Sequence, residues 1–170
     1  KSAEQILKSI GREGKAEVVD VQTKTISEPA PLLFDLTALQ KVANRRLGFS
    51  ADETLEIAQR LYEKKFITYP RTGSRYIPED VWSEIPELVR CLRNHEQFKK
   101  ASSMLQFGNF NKRIVNDAKV TDHHGLLITG KIPSSLSAKE NAVYDLIAFN
   151  LLETLSDDCI KEQRCIILKV

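Results

Sequence analysis

Lys64-Lys65-Phe66-Ile67-Thr68-Tyr69-Pro70-Arg71-Thr72-Gly73-Ser74-Arg75-Tyr76-Ile77-Pro78 is a non-helical stretch set between helical patterns. Pro70 has no N–H and biases Tyr69 toward an extended backbone, so the tyrosine lies off any helix. Gly73 and Ser74 supply a turn. The stretch sets Tyr69 two residues from the guanidinium of Arg71. A phenol is a poor nucleophile at neutral pH because its ordinary pKa is about 10. A neighbouring positive charge favours the phenolate and stabilises charge on a phosphate under attack. The same residues also fit a loop whose tyrosine packs at an edge and whose arginines are solvated. By themselves they leave both readings open.

Working outward, the segment before this stretch reads as two capped helices. Thr37-Ala38-Leu39-Gln40 has the form of a capping box, and Leu39, Val42, Ala43 and Leu47 follow on one face before Gly48. Ser50-Ala51-Asp52-Glu53 is a second capping box, opening a helix that buries Leu55, Ala58 and Leu61 or Tyr62. Two short helices across a tight Gly48-Phe49 turn resemble a helix-turn-helix pair. Its polar face, with Lys41, Asn44, Arg45 and Arg46, suits phosphates as well as plain solvent. After the stretch, Pro78 fits the first position of a new helix, with Glu79 and Asp80 placed against its dipole. Pro86 interrupts that helix, Glu87 to Arg93 resumes it, and residues 96–106 form one more. Phe107 to Arg113 reads as a loop, with Phe107 and Phe110 as hydrophobic anchors or as platforms for bases. Ser137-Ala138-Lys139-Glu140 is a third capping box and starts the longest helix, in which Ala142, Val143, Leu146, Ile147, Leu151 and Leu155 repeat at helical period.

The two ends differ in character. Residues 2–11 place Ala3, Ile6, Leu7 and Ile10 at helical spacing, with Gly11 as a stop. The β-branched run from Lys15 to Ser27 reads as a strand, and Lys161 to Val170 reads as a second strand able to pair with it. Glu28-Pro29-Ala30-Pro31 is a stiff connector between them and the helical part. The chain therefore leaves a small sheet, builds a helical domain and returns. The fold class is α+β, mainly α with a small β element. The expected domains are residues 1–33 and 157–170, part of a β-containing hinge or gate domain, and residues 34–156, a helical domain.

Composition excludes several classes. The 170 residues are 42% hydrophobic and 28% charged, ordinary for a globular protein. Twenty-five Lys and Arg against 23 Asp and Glu leave a net charge of only +2, so a basic surface has to come from arrangement. Arg45, Arg46, Lys64, Lys65, Arg71 and Arg75 provide one. Cys91, Cys159 and Cys165 are scattered and odd in number, which fits a reducing cytosol better than a disulfide framework or zinc site. No apolar run approaches the roughly 20 residues of a membrane span. Lys1 is not an initiator Met and the C-terminus falls inside an apolar run, so the chain reads as a piece of a longer protein.

Val120-Thr121-Asp122-His123-His124-Gly125-Leu126-Leu127-Ile128-Thr129 holds two of the three histidines. It reads as a surface turn before a buried strand. Histidine and aspartate are metal-ligand types, but adjacent residues rarely point at one ion, and no further His or Cys cluster completes a shell.

Six ordered blocks carry a resemblance that covers residues 28–156. They are Leu36-Thr37-Ala38-Leu39-Gln40, Leu47-Gly48-Phe49-Ser50-Ala51, Ala58-Gln59-Arg60-Leu61-Tyr62, Ile67-Thr68-Tyr69-Pro70-Arg71-Thr72, Arg75-Tyr76-Ile77-Pro78 and Val120-Thr121-Asp122-His123-His124. In this order and spacing the chain resembles the tyrosine-bearing part of the type IA DNA topoisomerases, in particular the topoisomerase III branch. The resemblance implies transient cleavage of one DNA strand through a 5′-phosphotyrosine link, strand passage and resealing without nucleotide hydrolysis. It implies Tyr69 as the nucleophile, Arg71 on the scissile phosphate and His123 beside it. Lys65, Thr72, Ser74, Arg75, Arg45 and Arg46 are the expected DNA contacts. Single-stranded DNA is the expected partner, the cytoplasm the expected compartment, and Mg²⁺ the cofactor of the full-length enzyme. The family's acidic Mg²⁺-binding domain lies N-terminal to this region, so no metal ligand is expected here, and the isolated piece is expected to bind DNA weakly without cleaving it. The domain would swing about hinges at Glu28 to Leu33 and Leu155 to Ile160.

Two departures from the family pattern stand out. Leu127-Ile128-Thr129 lacks the proline of an Ile-Pro-Thr or Arg-Pro-Thr pattern, and Gly125 replaces a common alanine. Other classes also bear on these residues. A plain helix-turn-helix DNA-binding module explains the capped helices without using Tyr69. Asp122-His123-His124 spells the signature of the DHH phosphoesterases, although the further aspartates those enzymes need are not suitably placed. A tyrosine recombinase is disfavoured because His123 follows the tyrosine.

Overall fold

The capping signals start the helices that frame everything else. In the computed structural model, which describes residues 3–13 and 16–169, the elements run α1 (Ala3–Glu13), β1 (Glu17–Glu28), α2 (Leu36–Leu47), α3 (Ala51–Glu63), α4 (Glu79–Trp82), α5 (Ile85–Arg93), α6 (Glu96–Ser103), a 3₁₀ turn at Asp117–Lys119, α7 (Ala138–Thr154) and β2 (Cys159–Lys169). The chain divides into two compact units, Lys1–Pro29 with Asp158–Val170, and Ala30–Asp157.

In the first unit β1 and β2 pair antiparallel, from Glu17 opposite Lys169 to Glu28 opposite Cys159, with an irregularity between Val18 and Asp20. This is the pairing expected of the two β-branched runs. Val18, Val21, Ile160, Ile166 and Leu168 are exposed on the ribbon. Gly11 does not stop α1, which continues to Glu13. Glycine weakens a helix by about 1 kcal/mol without forbidding it, and nothing lies within 4 Å of a Cβ built there.

The helical unit is built on α2, α3 and α7, which pack on one another, with α6 beside α7 and α5 against α6. Leu39, Ile57, Leu61, Val143, Ile147 and Leu151 are at most 1% exposed, so the stripes read at helical period are the buried ones. Ile57 takes the core position expected of Leu55. Gly48 ends α2 in the left-handed conformation at φ 73°, which favours glycine.

Three helix starts differ from expectation. Asp35, not Thr37, caps α2: its Oδ1 accepts from the Ala38 N–H at 2.6 Å. Phe34 O accepts from Leu126 N–H and Thr72 O from Leu36 N–H, so tertiary bonds hold the chain on either side of Asp35. Ser50 accepts from Glu53 N–H at 3.1 Å, while the Glu53 carboxylate pairs with Lys139 at 2.5 Å. Pro78 is the cap of α4 rather than its first residue. Pro86 lies inside the first turn of α5, where its missing N–H has no helical partner to lose.

Ser137 and Glu140 do form the reciprocal capping box of α7. Glu140 is 5% exposed, and its carboxylate accepts from Lys64 Nζ at 2.7 Å and Ser137 N–H at 2.9 Å. Arg60 approaches to 3.7 Å. The Lys64 hydrogen bond, then the Ser137 N–H, hold the Glu140 carboxyl down to about 2 from its ordinary 4.5. The start of α7 is thereby tied to the end of α3, next to the tyrosine stretch.

Because the folded carboxyl titrates below the unfolded one, this contribution is complete above about pH 4.5 and lost as pH falls toward 2. Glu140→Gln is expected to lower stability by about 1–2 kcal/mol near neutrality. Urea unfolding at pH 6 and pH 3 checks this, since the gap between wild type and variant must narrow at the lower pH.

Candidate functional site

The tyrosine stretch is extended because neither its own sequence nor its neighbours offer it a helix. At its start α3 ends with Lys64, and Lys65 takes a left-handed φ of 62°. Lys65 N–H donates to Tyr62 O and Phe66 N–H to Leu61 O, the Schellman pattern with lysine where glycine is usual. Thr129 Oγ1 donates to Lys65 O at 2.7 Å, and Lys131 Nζ to Lys64 O at 3.1 Å. These outside donors hold a backbone conformation that costs a non-glycine residue of order 1 kcal/mol.

Beyond Phe66 the chain runs antiparallel to residues 125–129. Thr129 N–H donates to Phe66 O and Thr68 N–H to Leu127 O, bracketing an isolated bridge between Ile67 and Ile128. Leu127 N–H donates to Thr68 Oγ1 at 3.0 Å. Neither bridge bond uses the N–H of Ile128. The proline missing from this position therefore leaves the pairing unchanged. Farther on, Gly125 N–H donates to Tyr76 O and Ile77 N–H to Ile114 O. Gly125 also has a steric reason: a Cβ there would lie 2.9 Å from Leu33 Cβ and 3.2 Å from the Arg75 carbonyl carbon.

This crossing sets Tyr69 against His123. Their ring centroids are 4.6 Å apart with planes at 52°. Tyr62 meets the tyrosine edge-on at 5.3 Å and 73°. Tyr69 is half-buried while His123 is exposed. Thr72 Oγ1 donates to His123 O at 2.9 Å, fixing the histidine backbone to the tyrosine strand. His124 faces the other way, with Nδ1 2.7 Å from Gly125 O. Arg71 is exposed and borders a cleft of about 450 Å³ along α3 with Arg60, Asp52, Glu56 and Glu63. Among the described residues it forms no ion pair. The arrangement offers a phenol against an imidazole face, with an accessible guanidinium two residues along the same strand, groups able to bind and attack a phosphodiester.

The other expected DNA contacts separate into two kinds. Lys65, Arg45 and Arg46 are exposed and free to meet phosphate. Thr72 and Ser74 are each only 5% exposed, and their hydroxyls are engaged within the protein. Thr72 Oγ1 also accepts from Ser74 N–H, and Ser74 Oγ donates to Lys119 O at 2.9 Å. In an irregular extended stretch these hydroxyls stand in for missing backbone partners. Arg75 is likewise engaged: its Nε donates to Leu33 O at 2.9 Å. Asn44 is spent on the helix-helix turn, donating to Phe49 O. Phe107 stacks on Phe110 at 5.4 Å and lies under Arg90 and Arg93. Tyr62 was invisible as a site residue, because its helical spacing signals only a core or surface position.

Among the described residues no group of three or more His, Cys, Asp or Glu could hold a metal ion. The residues present do not fit a Mg²⁺ site, nor the cluster that a DHH phosphoesterase needs. No helix among them is long and apolar enough to cross a membrane.

The family model described as DNA topoisomerase matches residues 1–170. DNA topoisomerase 3 of Bacillus subtilis (strain 168) is 41% identical over 156 residues, covering 89% of this chain and 21% of that protein. DNA topoisomerase 3 of Bacillus licheniformis is 40% identical over 144 residues, covering 82% of this chain and 20% of its own length. This chain thus spans about a fifth of these relatives. Full-length topoisomerase I from Thermotoga maritima shares the fold, with a TM-score of 0.67 at 24% identity over 99% of this chain and 28% of that one. The ordered blocks around Tyr69 and His123, the family match along the whole chain and the shared fold lead to one assignment: the chain belongs to the DNA topoisomerase family.

Proposed function

We propose that this chain is the nucleophile-bearing part of a type IA topoisomerase that breaks and reseals one DNA strand. The contact between the Tyr69 and His123 rings at 4.6 Å, with an exposed Arg71 two residues along the chain from Tyr69, carries this reading. Tyr69 Oη attacks a backbone phosphorus; the Oη–P bond forms and the P–O3′ bond breaks. The phenolic proton ends on the departing 3′ oxygen, leaving a 3′-hydroxyl and a 5′-phosphotyrosine. Reversal of the same step reseals the strand, because the aryl phosphodiester keeps the energy of the linkage it replaced. Arg71 holds the phosphate through charge-assisted donors and offsets the charge that builds on it. His123, exposed and set by Thr72, contacts the phosphate from the other side of the phenol. Thr72 and Ser74 act by fixing this geometry.

Residues 34–156 form the helical tyrosine domain, and residues 1–33 and 157–170 belong to a gate domain of the parent, with hinges at 28–33 and 155–160. Its partners are single-stranded DNA and the remaining domains of the parent. The Mg²⁺ of the parent is held by residues outside this chain. The compartment is the cytoplasm, where bacterial DNA is found. A helix-turn-helix module without catalysis is not favoured, because it leaves the Tyr69–His123 contact without a purpose.

In the parent enzyme Tyr69→Phe is expected to abolish covalent adducts while leaving DNA binding intact. Arg71→Ala is expected to slow cleavage by about 10²–10³. Denaturing gels of labelled single strands read the adduct and anisotropy reads the binding; adducts from the Tyr69→Phe enzyme would disprove the assignment. The 170-residue chain alone, incubated with single-stranded DNA and Mg²⁺, is expected to form no efficient adduct.

A further inference from the structure

The cations of α2 are not spent on the protein. Arg45 and Arg46 end the helix and Lys41 stands one turn earlier; all three are exposed. None forms an ion pair among the described residues. With Arg75 they rim a cleft of about 320 Å³, at the lower end of the range of small-ligand sites, about 300–1,000 Å³. Its walls are apolar, formed by Phe34, Val42, Leu146 and Phe149. Phe149 is partly buried and held edge-on by Phe98 at 5.0 Å, so it is a fixed surface. Arg75 is anchored to the carbonyls of Leu32 and Leu33 and keeps its charge. Glu153 is the one carboxylate among the lining residues. Four cations to one anion call for an anionic occupant, and the apolar wall calls for one with a flat apolar part.

We propose that this cleft is a second nucleotide-receiving site, taking one unstacked nucleotide of a single DNA strand. Its flanking phosphates lie among Arg45, Arg46 and Lys41, and its base lies against Phe149. The proposal rests on the reading of the chain as a binder of single-stranded DNA, but shares no residue with the Tyr69–His123 contact. A duplex keeps its bases stacked and cannot present one to the wall. An acidic peptide would satisfy the cations and leave the wall empty. A single strand supplies both parts, since stacking on aromatic side chains tolerates any base.

The test is photocrosslinking of the 170-residue chain to an eight-nucleotide strand carrying 5-iododeoxyuridine, with the adducts mapped by peptide mass spectrometry. Adducts are expected in two regions, one around Tyr69 and His123 and one within residues 41–46 or 146–153. Arg45→Glu/Arg46→Glu is expected to lower the second adduct at least tenfold and to lower it far more than the first. Should charge reversal unfold α2, as circular dichroism would reveal, Arg45→Gln/Arg46→Gln serves instead. Either pair should flatten the dependence of log K on log salt by about 1.4, two single-strand phosphate contacts at roughly 0.7 each. Adducts confined to the Tyr69 region, or a second adduct indifferent to both pairs, would overturn this site alone. Displacement of the strand from this cleft by polyglutamate as effectively as by unlabelled oligonucleotide would assign it to an acidic peptide. Absence of adducts in both regions would overturn the DNA reading as well.

Discussion

The short antiparallel crossing of residues 66–68 with 127–129 is the constraint on which the site depends. Two backbone hydrogen bonds bracket the Ile67–Ile128 pair, and the Thr68 hydroxyl accepts from Leu127 N–H. Ile67, Leu127 and Ile128 are at most 2% exposed. Each such bond contributes only about 0.5–1.5 kcal/mol net, but an unmade one in this interior costs more. The pairing register is therefore stringent. A slip of one residue would turn the apolar side chains out of the core and carry Tyr69 away from His123.

Around this crossing the protein meets the needs of an irregular backbone with side chains. Thr72 and Ser74 bridge carbonyls and N–H groups that no ladder reaches, and Arg75 serves the carbonyls before α2. Such residues look like DNA contacts in a sequence because they are polar and lie close to Tyr69. Here Thr72 and Ser74 are buried and hydrogen-bonded within the protein. Their hydrogen bonds fix the backbone after Tyr69 and hold it to His123 and Lys119. Glu140 extends the same rigidity outward, tying α7 to the end of α3 through Lys64.

Much of the framework is legible from local rules. The Ser137–Glu140 box, the apolar stripes of α2, α3 and α7, the Gly48 stop and the β-branched runs of β1 and β2 act over a few residues, so spacing reveals them. The errors occur where distant residues compete with such rules. Asp35 caps α2 because Leu126 and Thr72 fix the chain on either side of it. Lys65 adopts a left-handed conformation because Thr129 and Lys131 bind the carbonyls on either side of the turn. No propensity announces either.

The site divides the same way. The blocks that place the chain in its family, with Tyr69, Arg71 and His123 among them, were legible in the sequence, because residue type and order are all that such recognition needs. Tertiary structure alone decided that the Tyr69 and His123 rings touch, that Tyr62 meets Tyr69 edge-on, that Thr72 and Ser74 are buried, and that Gly125 is required by Leu33. The reason is steric and long-range: each depends on atoms brought together from segments far apart in the chain, and no local pattern records which of them will share a space.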